Sequence, residues 1–272
     1  MGSLRFLPLV SLGLILSFNA NAGLIIGGFD FTRGGFESIA DSSSMSDLRT
    51  AIQNQFPGTT FSSSDTLTAS YLDTVEVLML GVATGNFSAI TPLTTAEQTA
   101  LLDFVDAGGE AIIFTDNDSF DPNNADNANN SLVSPFGLSV GGDLTGPNND
   151  GSQSGTYLSG GYTLQATYPG EFTGLGSSTE LAYYNAAGQP PAVTYFPSGA
   201  LAPGSGPAVF FSDSSLMLNG YMTADDQQDI FNALALAPGG SPGNVTGAPE
   251  PATWALLLAG LALAPRLKKR AQ

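Results

Sequence analysis

Two residue types are missing from this sequence of 272 residues, and positive charge is scarce. The chain contains no cysteine and no histidine. Without cysteine it can form no disulfide and offers neither a thiolate nucleophile nor a thiolate metal ligand. Without histidine it lacks the usual general base and the usual ligand for transition metals. Catalytic machinery of the serine-histidine-acid and cysteine-histidine types is therefore excluded.

Positive charge is concentrated at the two ends of the chain. Of the seven Lys and Arg residues, Arg5 lies within the first 22 residues and four others lie within the last seven. Segment 23–251 carries all 24 acidic residues against Arg33 and Arg49, a net charge of −22. Such a surface repels phosphate backbones and anionic lipid headgroups, so we expect no nucleic-acid partner. Cations and neutral polymers are compatible with it.

The first 22 residues have the layout of a secretory signal peptide. Arg5 supplies a positive start, residues 6–18 are mostly apolar, and Ala20 and Ala22 frame a small-x-small cleavage site. We therefore expect export across the inner membrane and cleavage after Ala22. The alternatives are a core helix and an uncleaved anchor, but the apolar run is short for a membrane span.

A proline-acid-proline step, an apolar run and a basic tail close the sequence. The step consists of Pro249, Glu250 and Pro251, and residues 252–267 after it are mostly apolar. The tail carries four cations, which are Arg266, Lys268, Lys269 and Arg270. By the positive-inside rule these cations keep the tail on the cytoplasmic side of the inner membrane. Residues 239–248, rich in Gly, Pro and Ser, read as a flexible linker before the step.

This three-part C-terminus resembles a PEP-CTERM sorting signal. The resemblance implies a Gram-negative bacterium that makes exopolysaccharide. It also implies processing near Pro249–Pro251 by an exosortase, a membrane-embedded cysteine transpeptidase-like enzyme. Pro265 interrupts the apolar run, and lysines replace some of the usual arginines. An ordinary single-span anchor is the alternative.

Between the two ends, strand-like and helix-like patterns alternate. Short apolar runs predict buried strands at residues 23–31, 75–82, 111–115, 181–185, 193–196 and 208–212. Periodic apolar residues predict amphipathic helices at residues 46–56, 94–107 and 224–236, with Ser46, Thr94 or Thr95, and Thr223 as their N-caps. This alternation predicts one α/β domain over residues 23–238, with a mostly parallel sheet flanked by helices. Residues 117–180, rich in Gly, Asn and Asp, read as a β-rich insertion with short strands near Tyr157, Tyr162 and Tyr168.

Two stretches of the α/β pattern resemble a known fold family. The stretches are VLMLGVATG…PLTTAEQTALLDFVDAGGEAIIFTDND, from Val77 to Asp118, and GPAVFFSDSSLMLNG…DDQQDIFNALAL, from Gly206 to Leu236. They are similar to the class I glutamine-amidotransferase-like (flavodoxin-like) domains, and to the non-catalytic relatives in particular. Active members need a nucleophilic cysteine and a histidine. The resemblance therefore implies a degenerate, non-enzymatic scaffold here.

An acidic segment follows the predicted strand at residues 111–115. Its oxygen-bearing side chains are Asp116, Asp118, Asp121, Asn123 and Asp126. Carboxylate and amide oxygens at this density suit Ca²⁺, and open α/β sheets place their sites at the carboxyl ends of strands. The segment lacks EF-hand spacing. The alternative is a solvated loop whose Asp and Asn side chains bond their own backbone.

Three further features bear on function. Asp213 follows the strand at 208–212 and either joins the acidic segment at the same sheet edge or caps the next turn. A pair of carboxyl groups could perform acid-base hydrolysis, although Glu97 and Glu110 read as surface residues. Tyrosines and asparagines in 157–185 could stack on and hydrogen-bond sugars.

These observations predict an exported, non-enzymatic protein of the cell surface or extracellular matrix. We expect the protein to cross the inner membrane and to be anchored there, either transiently or permanently. The cell surface or extracellular matrix is its expected destination. Calcium and exopolysaccharide are the expected ligands, and an exosortase is the expected processing partner. The alternative is a carboxylate- or metal-dependent hydrolase of matrix polymers.

Overall fold

The structure of the chain is a computed structural model that describes residues 23–85, 88–143, 151–152, 164–167, 169–183 and 191–237. The signal peptide, the linker and the sorting signal lie outside the described residues, as do Tyr157, Tyr162 and Tyr168. Within the described part, no helix combines the length and the apolar character that a membrane crossing needs.

The described segments form strands and helices in alternation along most of the chain. The strands are β1 (Ile25–Phe29), β2 (Thr60–Ser64), β3 (Val77–Leu80), β4 (Ala83–Gly85), β5 (Ser88–Ala89), β6 (Glu110–Phe114), β7 (Ser139–Asp143), β8 (Gly151–Ser152), β9 (Gln165–Ala166), β10 (Gly170–Gly174), β11 (Thr179–Tyr183), β12 (Pro191–Phe196) and β13 (Ala208–Phe211). The helices are α1 (Phe31–Gly34), α2 (Ser46–Gln55), α3 (Ala69–Leu72), α4 (Thr95–Asp106), α5 (Ala125–Val133) and α6 (Ala224–Leu234). Short 3-10 turns cover Gly35–Glu37, Ser43–Met45, Ser134–Phe136 and Ser215–Met217.

Seven strands form one sheet in the order β11-β12-β13-β6-β3-β1-β2. The five strands from β13 to β2 are parallel to one another, whereas β12 pairs antiparallel with both β13 and β11. The predicted α/β class with a mostly parallel sheet flanked by helices is therefore confirmed. Because the five strands are parallel, their carboxyl ends meet at one edge of the sheet, where open α/β folds place their ligands.

Both faces of the sheet are covered, which explains why its central strands are continuously apolar. On one face, Val77 and Met79 of β3 pack with Leu48 and Ile52 of α2 and with α6. On the other face, the alternate residues of β3 pack with α3, α4 and α5. The result is a three-layer sandwich with one apolar cluster on each side of the sheet.

Two predicted helices have the caps that the sequence indicates. Thr94 and Thr223 are the N-caps of α4 and α6, and each forms a capping box with the acidic residue three positions later. In α2 the expected cap differs, because Met45 is the N-cap and Ser46 is the first helical residue.

The segment after β6 differs from the prediction of a β-rich insertion that begins at residue 117. Residues 125–133 form helix α5, which buries Ala128, Leu132 and Val133 in the core below the sheet. Further along, β7 and β10 pair antiparallel, and so do β8 and β9. The β-rich part therefore begins only after α5, which itself belongs to the α/β sandwich.

Candidate functional site

A cavity of about 460 Å³ opens at the carboxyl edge of the parallel strands. Its walls come from the segments between β1 and α2 and between β3 and β5, and from those that follow β6, β9 and β13. Three carboxyl groups, three aromatic rings and several polar groups line it: Glu37, Asp116, Asp213, Phe36, Phe120, Tyr221, Ser44, Asn117, Thr167, Ser214, Ser215 and Asn219. None of the described lining residues is basic.

Glu37 reaches the cavity from the 3-10 turn after α1. That turn lies tight against β4, since a Cβ on Gly35 would sit 1.3 Å from the carbonyl oxygen of Thr84. Gly81, just after β3, leaves the space for the carboxyl group, because a Cβ there would lie 2.1 Å from Glu37 Oε2. The backbone N–H of Ala83 donates to Glu37 Oε2 over 2.7 Å. Two close approaches therefore fix the position of this side chain.

Glu37 is a buried carboxyl group whose pKa differs strongly from its ordinary value. Its side chain is 3% exposed, and its Oε1 has no hydrogen-bond partner within the described structure. Burial raises the pKa of Glu37 from an ordinary 4.5 to about 8. The charge of Asp213 acts in the same direction, whereas the Ser214 side chain and the Ala83 N–H act in the opposite direction. Glu37 thus retains its proton at neutral pH.

Asp116 lies just after the end of β6, and both of its carboxyl oxygens accept hydrogen bonds. Its Oδ2 accepts from the Ser214 hydroxyl at 2.6 Å, and its Oδ1 accepts from the backbone and side-chain nitrogens of Asn117, both at 2.7 Å. The buried Asn129 of α5 binds both its N–H and its carbonyl oxygen. Burial, followed by the nearby charges of Asp213 and Glu37, raises the pKa of Asp116 well above its usual range.

Asp213 follows β13 and combines the two roles that the sequence left open. Its Oδ1 accepts from the backbone N–H of Ser215 at 2.7 Å, which caps the turn that follows. Its Oδ2 accepts from the backbone N–H of Thr167 at 2.5 Å, which ties the β-rich segment to the cavity. Burial raises the pKa of Asp213 against these hydrogen bonds, and the charge of Asp226 adds to the rise. Asp213 is thus both a cap and a member of the site.

Aromatic side chains surround the three carboxyl groups. Phe36 is 46% exposed and Tyr221 is 55% exposed, although both line the cavity. Phe120 is half-buried on the same cavity. Large exposed rings beside a polar cavity offer flat apolar faces for a ligand.

The acidic segment is spread out rather than gathered at one point. Of its five residues only Asp116 lines the cavity. Asp121 accepts from the N–H of Ala89 at 3.0 Å, which lowers the pKa of Asp121, and Asn123 and Asp126 are exposed. Asp118 is half-buried in the loop between them.

The described residues contain no group of three or more acidic side chains suited to hold a metal ion. Hydrogen bonds within the acidic segment match the alternative interpretation, in which Asp and Asn side chains of a loop bond their own backbone. Asn117 Oδ1 accepts from Ser119 N at 2.9 Å and from Phe120 N at 3.2 Å. Calcium binding by this segment stays a prediction.

The sequence reading missed Glu37 and misplaced two other glutamates. Glu97 and Glu110, expected at the surface, are 4% and 0% exposed. Glu97 pairs with Arg33, which is 64 positions away along the chain. The available signal for Glu37 was an acidic residue after a glycine pair, shortly after the carboxyl end of the first strand.

The comparisons with known proteins concern the fold. No family model matches the sequence, and no curated protein sequence matches it. The mmIFT52 N-terminal domain is similar with a TM-score of 0.55 at 12% identity, over 76% of this chain and 93% of that one. The cold-adapted β-galactosidase from Rahnella sp. R3 gives a TM-score of 0.50 at 17% identity, over 84% of this chain and 33% of the enzyme.

The β-galactosidase from Bacillus circulans sp. alkalophilus gives a TM-score of 0.51 at 13% identity, over 79% of this chain and 31% of the enzyme. The chain thus spans about a third of the length of these two β-galactosidases. At such identities the likeness shows the shared α/β architecture and nothing about activity.

Proposed function

We propose that this chain is an exported protein of the cell surface or extracellular matrix that binds carbohydrate in the cavity at the carboxyl edge of its sheet. The observation that carries the binding proposal is the cavity itself, in which three carboxyl groups stand among three aromatic rings. Its volume of about 460 Å³ lies within the range of small-molecule sites.

The chemistry of the lining favours a ligand rich in hydroxyl groups. A carboxylate accepts hydrogen bonds from hydroxyl groups, and a protonated carboxyl group also donates one. The exposed rings of Phe36 and Tyr221 can stack on the apolar face of a sugar ring. An anionic ligand is disfavoured, because no described lining residue is basic and the surrounding segment 23–251 carries a net charge of −22.

The export and sorting part of the proposal depends on the two ends of the sequence. The signal peptide would direct the chain into the export route, and cleavage after Ala22 would remove it from the exported protein. The Pro249–Pro251 step, the apolar run and the basic tail would then hold the protein in the inner membrane until an exosortase processes it. Exopolysaccharide, which the PEP-CTERM resemblance implies, is a carbohydrate that this location would supply.

The binding proposal is tested with the exported chain on a panel of mono- and oligosaccharides, followed by calorimetry. We expect Tyr221→Ala to weaken binding by roughly tenfold through the loss of one stacking face. Phe31→Ala is the matched control, because Phe31 is 52% exposed but does not line the cavity. No saccharide bound by the unmodified chain, or equal losses in the two variants, would contradict carbohydrate binding in this cavity.

The sorting proposal is tested by the intact mass of the exported protein, with and without the host's sorting enzyme. Loss of the residues after about Pro249 only in the presence of the enzyme is the expected result. An unprocessed C-terminus in both strains would instead indicate an ordinary anchor. Calorimetry with Ca²⁺ alone, on the same preparation, tests the calcium prediction for the acidic segment.

One observation favours hydrolysis as a second candidate function. A general acid must hold its proton at working pH, and Glu37, whose pKa is raised to about 8, does so beside two further carboxyl groups. Turnover of matrix polymers or chromogenic glycosides that is lost in Glu37→Gln would support a hydrolase. Binding without turnover would support the non-enzymatic function.

A further inference from the structure

The cavity gathers three carboxyl groups, and no cation of the described chain pairs with them. Arg33 is committed to the Glu97 carboxylate and to backbone carbonyls, and its guanidinium lies 4.3 Å from the centre of the Phe29 ring. Arg49 donates to the carbonyl oxygens of Ile39 and Ser42. Neither arginine lines the cavity.

One carboxyl oxygen of the cavity-lining residues has no hydrogen-bond partner. Glu37 Oε1 is buried, and no group of the described structure donates to it. Buried polar atoms in folded proteins have a partner in the great majority of cases, so an unpartnered carboxyl oxygen of a cavity-lining residue points to a missing ligand group. A ligand that brings hydrogen-bond donors and positive charge would satisfy Oε1 and stabilise the ionised form of these carboxyl groups.

The residues that line the cavity favour an organic cation over a metal ion. The described residues hold no group of acidic side chains arranged for a metal ion. The rings of Phe36, Phe120 and Tyr221 contribute apolar faces of the kind that attract alkylammonium groups. An ammonium group offers three donors to carboxyl oxygens and carries carbon substituents that pack against rings.

We propose that the cavity binds its ligand through a primary ammonium group, held by Glu37, Asp116 and Asp213 and carried by an amino sugar. The proposal rests on the carbohydrate function given above and narrows its ligand class. It predicts that the cavity distinguishes an amino sugar from its N-acetylated form, which a general sugar site would not do. Acetylation of the amine removes the positive charge and two of the three donors.

A consequence for protons follows from the same geometry. Glu37 faces Asp213 and Ser214, Asp116 faces Asp213 and Glu37, and Asp213 faces Asp226. Burial raises the pKa of all three carboxyl groups, so they bind their protons more tightly than exposed carboxyl groups do. An entering ammonium group favours their ionised form, so binding releases about one proton per ligand to the buffer.

The experiment is calorimetry of the exported chain with glucosamine, N-acetylglucosamine, glucose and ethanolamine. It is run at about pH 6.5, below the pKa of an ordinary amino group, in two buffers of different ionisation enthalpy. We expect glucosamine to bind with a buffer-dependent enthalpy, and the two neutral sugars to bind at least tenfold more weakly. Equal binding of glucosamine and N-acetylglucosamine overturns the ammonium inference and leaves the carbohydrate function standing.

The remaining outcomes separate the two proposals. Ethanolamine binding without any sugar binding supports the ammonium inference and overturns the carbohydrate function. No binding of any of the four ligands overturns the ammonium inference, and the saccharide panel then decides the carbohydrate function.

Two variants locate the effect in the cavity. Glu37→Gln is expected to lower the affinity for glucosamine by roughly 30-fold or more, because it removes a charge from a buried pair. Asp116→Asn is the second variant and should act in the same direction. Asp103→Asn is the matched control, since Asp103 is exposed on α4, away from the cavity. Unchanged affinity in both cavity variants would place the ammonium group elsewhere and overturn the proposal.

Discussion

Replacing Glu37 by glutamine should change how the stability of this protein depends on pH. Glu37 is buried, and its pKa is about 8 in the folded state against 4.5 in its ordinary state. The folded state therefore holds this proton more tightly than the unfolded state does. The stabilisation from protonation is fully present below about pH 4.5 and is lost as the pH rises through about 8.

The magnitude follows from the size of the pKa difference. Each pKa unit corresponds to about 1.4 kcal/mol, so ionisation of Glu37 lowers the free energy of unfolding by about 4 kcal/mol between pH 4 and pH 8. Glutamine does not ionise, and its amide oxygen can still accept from the Ala83 N–H. The unmodified chain and the variant should therefore be similar in stability at pH 4, and the variant should be more stable at pH 8.

Urea unfolding at a series of pH values, followed by far-UV circular dichroism, measures this difference. Circular dichroism suits the purpose, because the single tryptophan, Trp254, lies outside the described residues. Asp103→Asn removes the same charge from an exposed position and should leave the pH profile parallel to that of the unmodified chain. Parallel profiles for Glu37→Gln and the unmodified chain would refute the reasoning, because Glu37 would then be ionised at no cost.

Two further substitutions test buried charges away from the cavity. Arg33→Met leaves the buried carboxylate of Glu97 without its partner and should lower the free energy of unfolding by about 3 kcal/mol, measured by urea denaturation. Adding Glu97→Gln in that background should recover part of the loss, and no recovery would show that the arginine acts through packing alone. Glu110→Met removes a fully buried carboxyl group whose two oxygens lack partners, and should raise the free energy of unfolding by about 2 kcal/mol at pH 8. Because burial raises the pKa of Glu110, this gain should shrink towards pH 4, and a gain that does not depend on pH would argue against a buried ionisable group.

The sequence predicted the elements whose local pattern matches their environment. The apolar runs of β3, β6 and β13 are buried on both faces, and the capping boxes of α4 and α6 are visible in the sequence. Strand β2, with the sequence TFSSS, was missed because it lies at the edge of the sheet with partly exposed side chains. Helix α5 was also missed, because its sequence ADNANNSLV is rich in polar residues that are typical of a loop. Its small and apolar residues are nevertheless buried.

The candidate site was predicted only in part, because it depends on contacts between distant segments. Asp116 and Asp213 each follow a predicted strand, so their common position at the sheet edge was foreseeable. Glu37 was not, because its place depends on Gly81, which lies 44 positions further along the chain and admits its carboxyl group. The burial of Glu97 likewise depends on Arg33, from a different part of the chain.

A comparison of Glu37 with Glu110 distinguishes a buried carboxyl group that serves a binding site from one that only lowers the stability of the fold. Both are buried acids with unpartnered oxygen and a raised pKa, so each alone lowers stability at neutral pH. Glu110 lies at the amino end of β6, away from the cavity, whereas Glu37 lines the cavity at the opposite edge of the sheet. If the cavity binds an ammonium ligand, Glu37→Gln should gain stability and lose binding, whereas Glu110→Met should gain stability and keep binding. If the two substitutions changed binding equally, Glu37 would have no role in binding that Glu110 lacks.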